Sequence, residues 1–250
     1  MIKVCPSTNP CPERDIVRYV KQLQNMGVEM LHIDVMDGEF VENKCMQPII
    51  IKQIKQNTLM QLEAHLMVKE PLEKLNEYLN IGLNYITIHY EAFENKQDFL
   101  KAISKIHDKN KLVGISIKPS THISAIINYL PLVDLVLIMS VEPGKSGQKF
   151  MPEVLEKIQA LSLIREKNKF NFKIEIDGGV NLDNIQKIVD YGTDLAVVGS
   201  ALYNSEDKQS FIITIENTSP KGSSLNKFFP NYKKKSMEEL EKELNRILCK

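Results

Sequence analysis

The sequence has no excess of charge of either sign, because its 32 Lys and Arg residues balance its 32 Asp and Glu residues. Nucleic acids and anionic membrane surfaces attract proteins largely through an excess of basic residues. The balance therefore argues against both as partners, and we expect no binding to nucleic acid or to membranes.

Long apolar runs are also missing. No stretch approaches the roughly 20 apolar residues of a membrane span, and the opening MIKVCPSTNP lacks the basic and then apolar pattern of a signal peptide. The four cysteines (Cys5, Cys11, Cys45 and Cys249) form no CxxC pair, which indicates reduced thiols. Together these absences predict a cytoplasmic protein.

No GxGxxG motif follows the first apolar run, which weakens a dinucleotide-binding interpretation. What the chain does contain is an alternation of short apolar runs with amphipathic, helix-like stretches. The eight apolar runs are IKVCPS, LHIDVM, LEAHLMV, YITIHYE, LVGISIK, LVLIMSV, KIEIDGG and LAVVGS. Short, mostly apolar runs are typical of parallel strands covered by helices. Eight such units predict an α/β fold, a single-domain (β/α)8 TIM barrel, rather than an open doubly wound sheet.

The pattern becomes irregular after the segment GSALYN. Residues 203–235 include Gly, Ser and Pro and carry the basic run Lys233–Lys235. We therefore expect an insertion at about 203–235, followed by a last helix, SMEELEKELNRILCK. Ser236 and Glu239 of that segment fit a capping box.

Four polar residues lie at or near strand ends in otherwise apolar runs. His32 and Asp34 alternate in LHIDVM, so they share one face of the second strand, while His65 lies in the third strand and Asp177 ends the seventh. Strand ends at the C-terminal face of a barrel converge on one site. A lone histidine would be interpreted as a core residue, but two buried carboxylates need a metal, a cation or a proton. The four residues together favour a functional site, with ligands suited to zinc or another divalent metal.

Glycines cluster at the ends of the last three predicted strands, in VEPGKSGQKF, DGGV and GS. Without a side chain, glycine lets several backbone N–H groups approach one anion. In TIM barrels a phosphate site often follows strands seven and eight, where Gly178, Gly179, Gly199 and Ser200 fall. One glycine alone could be only a turn residue, but the cluster predicts a phosphate cradle.

The segments LHIDVMDGEFVEN, AHLMV, ITIHYEAF, LIMSVEPGKSGQKF, EIDGGVN and VVGSALY together resemble the ribulose-phosphate 3-epimerases. The resemblance runs in order from Ser7 to about Tyr203. It implies a TIM barrel that interconverts D-ribulose 5-phosphate and D-xylulose 5-phosphate. It also implies a homo-oligomer, either a dimer or a hexamer.

The resemblance further implies roles for individual residues. His32, Asp34, His65 and Asp177 would hold one divalent metal ion, with Zn2+ preferred over Fe2+, Mn2+ or Co2+. Asp34 and Asp177 would also be the catalytic acid/base pair. The residues implied to contact the ketose phosphate are Ser7, His65, Met36, Met67, Met139, Gly144, Lys145, Ser146, Gly147, Gly178, Gly179, Gly199 and Ser200.

The chain departs from the family pattern around the mouth of the expected site. The family's PGFGGQ reads PGKSGQ here, its HFVPN reads EFVEN, which adds Glu39 and Glu42, and a common asparagine is replaced by Lys118. Because loops at the mouth select the substrate, a hexulose phosphate such as D-allulose 6-phosphate is the alternative substrate. Two further alternatives are a barrel hydrolase with a metal-activated water and a sugar-phosphate-binding barrel without turnover.

Overall fold

Residues 1–221 of the chain are described by a computed structural model, and in them strands alternate with helices as predicted. The strands are β1 (Lys3–Pro6), β2 (Met30–Asp37), β3 (Lys44–Cys45), β4 (Gln61–Met67), β5 (Tyr85–His89), β6 (Leu112–Ile117), β7 (Leu135–Met139), β8 (Lys173–Asp177) and β9 (Leu195–Val198). The α-helices are α1 (Ile16–Asn25), α2 (Pro48–Gln56), α3 (Pro71–Leu79), α4 (Lys96–His107), α5 (Leu155–Asn168), α6 (Ile185–Asp190), α7 (Ser200–Tyr203) and α8 (Lys208–Glu216). Short 3-10 helices cover Glu13–Asp15, Tyr90–Ala92, Ile123–Ala125, Ile127–Leu132 and Pro152–Val154.

Eight parallel strands form a closed ring. Hydrogen-bonded pairing runs from β1 through β9, β8, β7, β6, β5 and β4 to β2. The ring closes where Ser7 forms a parallel bridge with His32 and the Thr8 N–H donates to the carbonyl of His32 at 3.0 Å. The predicted (β/α)8 barrel is therefore confirmed, although only 3-10 turns connect β6 to β7.

The alternation of side chains along each strand divides the core into two layers. On β7, Val136 and Ile138 pack into the large apolar layer between strands and helices, whereas Leu135, Leu137 and Met139 point into the barrel. Because successive residues of a strand point to opposite faces, both layers are filled from the same short run. The same alternation on the other strands aims their polar residues into the barrel interior.

One strand, β3, lies outside the ring of eight; it has only two residues and was not predicted. It pairs antiparallel with the end of β2, so that Met36 lies opposite Cys45 and Asp37 lies opposite Lys44. The Cys45 thiol donates a hydrogen bond to the carbonyl of Asp34 at 3.1 Å. This short pairing returns the EFVEN segment to the C-terminal end of β2, beside the mouth of the barrel.

The sequence pattern suggested an irregular segment after GSALYN, but part of this segment is helical. Lys208–Glu216 forms α8, which packs against β1 and buries Phe211, Ile212 and Ile215. Its β-branched residues have a low helix propensity, so contact with the barrel decides its conformation. Most of the remaining expected insertion lies outside the described residues, and so does the run Lys233–Lys235. The predicted last helix, with Ser236 and Glu239, also lies outside them.

Within residues 1–221, no helix has the length and apolar character needed to cross a membrane.

Replacing Ile215 of α8 by alanine should lower the free energy of unfolding by about 2–4 kcal/mol, because the side chain is fully buried against the barrel. The matched control is Ile213→Ala on the same helix, where 48% of the residue is exposed and the loss should stay within about 0.5 kcal/mol. Chemical denaturation measures both values. Equal losses in the two variants would show that the packing of Ile215 against the barrel does not stabilise the fold.

Candidate active site

The four predicted polar residues meet at one end of the barrel. Asp34 of β2 lies in register with His65 of β4, and Asp177 ends β8 beside Met139 of β7. His32 lies one inward-facing position before Asp34 on β2. Parallel strands end at the same edge of the ring, which is why residues distant in the sequence converge here.

One atom from each residue points to a common centre. His32 Nε2 is 3.3 Å from His65 Nδ1, and Asp34 Oδ1 lies 3.6 Å and 3.7 Å from these two nitrogens. Asp177 Oδ2 is 3.9 Å from each nitrogen, and all four atoms lie within 4.8 Å of one another. A tetrahedral zinc site with bonds of about 2.0–2.1 Å places its ligand atoms about 3.4 Å apart. The cluster is therefore close to the dimensions of a four-ligand metal site.

The two aspartates have opposite electrostatic environments. Burial favours the neutral form of Asp34, but the positive charge of His32 and a hydrogen bond from it outweigh burial and hold the pKa of Asp34 well below its usual range. Burial and then the negative charge of Asp34 raise the pKa of Asp177 to about 7. At neutral pH, Asp34 is thus ionised, while Asp177 can hold a proton.

His32 is held by a buried carboxylate that the sequence analysis missed. Glu63 Oε2 lies 3.0 Å from His32 Nδ1, and the hydroxyl of Thr87 donates to Glu63 Oε1 at 2.5 Å. Burial opposes ionisation of Glu63, but the charge and hydrogen bond of His32 lower its pKa. An ionised carboxylate can only accept, so Nδ1–H of His32 donates and Nε2 faces the cluster.

A second missed carboxylate, Glu175, lies in the same interior, with Oε1 3.9 Å from His32 Nδ1. Both of its oxygens are buried without an ordinary hydrogen-bond donor. Burial and then the negative charge of Glu63 raise the pKa of Glu175 well above its usual range. Glu63 is thus the charged member of this pair and Glu175 the neutral one.

A chain of hydrogen bonds sets the tautomer of His65. Glu91 accepts from the backbone N–H of Lys118 and from the hydroxyl of Thr121, and its Oε2 lies 3.1 Å from His89 Nδ1. Burial lowers the pKa of His89, so its Nδ1–H donates to Glu91 and its Nε2 accepts from His65 Nε2 at 2.9 Å. Burial also lowers the pKa of His65 to about 4. His65 is therefore neutral, and its Nδ1 presents a lone pair to the cluster.

A cavity of about 220 Å³ opens beside the cluster. Asp34 and Asp177 line it, whereas His32 and His65 are fully buried and do not. Ser7 also lines it and donates to Asp34 Oδ2 at 2.6 Å. The other predicted contact residues that line the cavity are Met36, Met67, Met139, Gly144, Lys145, Ser146, Gly147, Gly178, Gly179, Gly199 and Ser200.

Two glycines of the cavity wall have no room for a side chain. Gly178 and Gly179 have φ values of +124° and +65°, in the region that favours glycine. A Cβ on Gly178 would lie 2.5 Å from Val141 Cγ2, and one on Gly179 would lie 2.6 Å from the backbone nitrogen of Phe150. These glycines therefore let the end of β8 pack closely against the loop that follows β7, and this brings the glycine-rich segments to one wall.

Comparison with known proteins gives the family. The model of the ribulose-phosphate 3 epimerase family matches residues 3–203. Ribulose-phosphate 3-epimerase of Schizosaccharomyces pombe is 32% identical over 230 residues, which cover 91% of this chain and 98% of that protein. The enzyme of that name from Bacillus subtilis is 34% identical over 216 residues, which cover 86% and 98%. The chain belongs to the ribulose-phosphate 3-epimerase family. It is therefore an isomerase that acts on carbohydrate phosphates.

Solved structures agree with a TIM barrel for this family member. 3-Keto-L-gulonate-6-phosphate decarboxylase of Vibrio cholerae superposes with a TM-score of 0.66 at 13% identity, covering 92% of this chain and 99% of that one. 3-Hexulose-6-phosphate synthase of Salmonella typhimurium gives 0.65 at 14% identity, covering 87% and 98%. At such low identity these similarities support the fold alone.

The donor set of this epimerase-family site could hold a divalent metal ion. Two imidazole nitrogens and two carboxylate oxygens are the ligands of zinc and related first-row metals, and both second nitrogens of the histidines have fixed partners. Sequence reasoning missed those partners, Glu63, His89 and Glu91. The available signal was the period of two in LEAHLMV and ITIHYE, which places Glu63 on the face of His65 and Glu91 two positions after His89.

Metal affinity should fall as the pH is lowered. Burial opposes protonation of His32, but the charges of Glu63 and Asp34 outweigh it and raise the pKa of His32 well above its usual range. A metal must displace the proton on Nε2 of His32, so each pH unit should cost about tenfold in affinity. Competition for Zn2+ with a chelator between pH 6 and pH 8 measures this slope. A flat profile would contradict the protonation of His32 before the metal binds.

Replacing Glu63 by glutamine should weaken Zn2+ binding by about tenfold, because the charge that orients and polarises His32 is lost. The matched control is Glu175→Gln, which exchanges a neutral acid for a neutral amide in the same interior and should change the affinity by less than about threefold. Chelator competition measures both variants without any turnover. Equal losses would show that burial, and not the charge of Glu63, sets the affinity.

Proposed function

We propose that the protein catalyses the reversible epimerisation of D-ribulose 5-phosphate to D-xylulose 5-phosphate at C3. The proposal depends on one observation: Asp34 and Asp177 line the same cavity with pKa values shifted in opposite directions. Carboxyl groups whose environments separate their pKa values are suited to the roles of base and acid. The relatives from Schizosaccharomyces pombe and Bacillus subtilis carry the same activity in their names.

Inversion at C3 requires a base on one face of the ketose and an acid on the other. Ionised Asp34 takes the C3 proton, which leaves an enediolate, and protonated Asp177 delivers its proton to the opposite face of C3. The roles exchange in the reverse direction. After turnover, Asp34 carries the proton and Asp177 is ionised, so each direction leaves the pair ready for the other.

A divalent metal held by His32, Asp34, His65 and Asp177 would supply a Lewis acid at the ketose oxygens. The chain's own residues prepare for this by presenting the lone pair of His65 Nδ1 and by holding His32 through Glu63. We propose Zn2+ as this metal, since the ligand set and its spacing suit zinc; Fe2+, Mn2+ and Co2+ are the alternatives.

The remaining cavity residues would orient the substrate. Ser7 donates to Asp34 and so fixes the carboxylate that would take the proton. Met36, Met67 and Met139 give an apolar wall next to the two aspartates, which limits water around the reacting carbon. The glycine-rich wall would bind the phosphate through backbone N–H groups and hold C3 between the two acids.

We also propose a location, a class of partner and an oligomeric state for the enzyme. A cytoplasmic location is supported by the absence of CxxC pairs, and the balanced charge supports a small phosphorylated sugar, with neither nucleic acid nor membrane, as the partner. A homo-oligomer, either a dimer or a hexamer, remains a prediction from the family resemblance.

Proton NMR of D-ribulose 5-phosphate in D2O with the metal-loaded protein tests the reaction. We expect deuterium at C3 together with formation of D-xylulose 5-phosphate. Asp34→Asn and Asp177→Asn should each lower kcat by about 100-fold or more, because each removes one proton-transfer group. Asp183→Asn is the matched control, since Asp183 is an exposed aspartate six residues after Asp177.

The same experiment separates the alternatives. Neither exchange nor product would reject the pentulose phosphate, and the assay would then be repeated with D-allulose 6-phosphate. Release of inorganic phosphate would indicate a hydrolase, and binding without any exchange would indicate a barrel that has lost turnover. Metal content is measured for every variant, because Asp34 and Asp177 are also ligand candidates.

A further inference from the structure

The cavity has little positive charge with which to balance a phosphate dianion. Its charged lining residues are Asp34, Glu142, Lys145 and Asp177. Among residues 1–221, Lys145 is the only lysine or arginine that lines it. A sugar phosphate that enters this cavity therefore meets a single cationic side chain, at the wall formed by the glycine-rich loops.

Lys145 is carried on a loop whose backbone is fixed. The side-chain amide of Gln148 donates to the carbonyls of Glu142 at 2.6 Å and Lys145 at 2.9 Å. Gly144 and Gly147, on either side, have φ values of +107° and +76°. The backbone position of Lys145 is therefore set, while its four-carbon side chain stays 62% exposed and free to change rotamer.

The ammonium group of Lys145 has an anionic partner at the mouth. Its Nζ lies 2.9 Å from Glu42 Oε2, and the Glu42 side chain is 83% exposed. Ion pairs with this exposure stabilise a structure only weakly. Both residues stand where the sequence departs from the family pattern, in PGKSGQ and EFVEN.

The two loops do not need this ion pair to stay together. The side-chain amide of Asn43 donates to the carbonyl of Gly144 at 2.6 Å, and Val41 packs against the same glycine, where an added Cβ would lie 2.8 Å from Val41 Cβ. These short-range contacts hold the EFVEN segment against the loop after β7. The Lys145 side chain can therefore leave Glu42 without separating the loops.

We propose that the Lys145 ammonium binds the phosphate group of the substrate and that Glu42 competes with the phosphate for it. A phosphate dianion offers more charge than one carboxylate, and in the partly enclosed cavity the attraction is less screened than at the mouth. The inference rests on the proposed function only in that the substrate is a sugar phosphate. Lys145 would then be a specificity residue for the phosphate end, remote from C3.

Direct binding of inorganic phosphate to the metal-loaded protein tests the assignment. By calorimetry, Lys145→Met should weaken the affinity by about tenfold through loss of a charge-assisted contact. Lys149→Met is the matched control, since it removes the same charge from the same loop at a residue that does not line the cavity, and it should change Kd by less than about twofold. Glu42→Gln should tighten phosphate binding by about two- to threefold, because the competitor is removed.

Equal affinities of Lys145→Met and wild type, or equal losses in the two lysine variants, would overturn the assignment of Lys145. An unchanged Kd in Glu42→Gln would overturn the competition. With D-ribulose 5-phosphate, Lys145→Met should raise KM with little change in kcat, as expected for a binding contact remote from the reacting carbon. The calorimetric result does not need turnover, so failure of the epimerase assignment and failure of the phosphate contact are distinguishable.

Discussion

The balance of charge inside the barrel is the constraint on which the site depends. Asp34, Glu63 and Asp177 bring carboxyl groups into a largely apolar interior, and two of them, Asp34 and Glu63, are ionised around His32. An uncompensated buried charge would be costly, so the histidine must lie between them. Burial and then the negative charge of Asp34 raise the pKa of Asp177. One electrostatic arrangement thus both permits the buried cluster and prepares an acid beside a base.

Strand register turns this constraint into geometry. His32 pairs with Glu63 across β2 and β4, and two residues later Asp34 pairs with His65. Each histidine therefore has a partner on the neighbouring strand, and both face the barrel interior because the period of a strand is two. A shift of one residue would turn all of these groups into the apolar layer between strands and helices. Backbone pairing between β2 and β4 thus places these groups side by side.

The mouth of the barrel is built differently from the buried cluster beneath it. The buried cluster consists of groups with fixed hydrogen-bond partners, whereas the mouth combines a hydrogen-bonded backbone with exposed charged side chains, as at Lys145 and Glu42. This division suits the proposed reaction, in which C3 would be held tightly while the phosphate end enters and leaves. It also explains how the loops can differ from the family pattern while the interior keeps it.

The barrel and most of the cavity can be predicted from local signals in the sequence. Runs of period two and glycines at strand ends are such signals, and parallel pairing brings them to a common edge. The sequence could not reveal the two-residue strand β3 or helix α8, whose conformations depend on contacts with β2 and β1. Tertiary structure alone decided the partners. Glu63 contacts His32, and Glu42 contacts Lys145. His89 and Glu91 set the tautomer of His65. These interactions depend on distances between residues that are far apart in the chain. The pKa values of Asp34 and Asp177 depend on those same distances and on burial, so no local pattern could assign which acid keeps its proton.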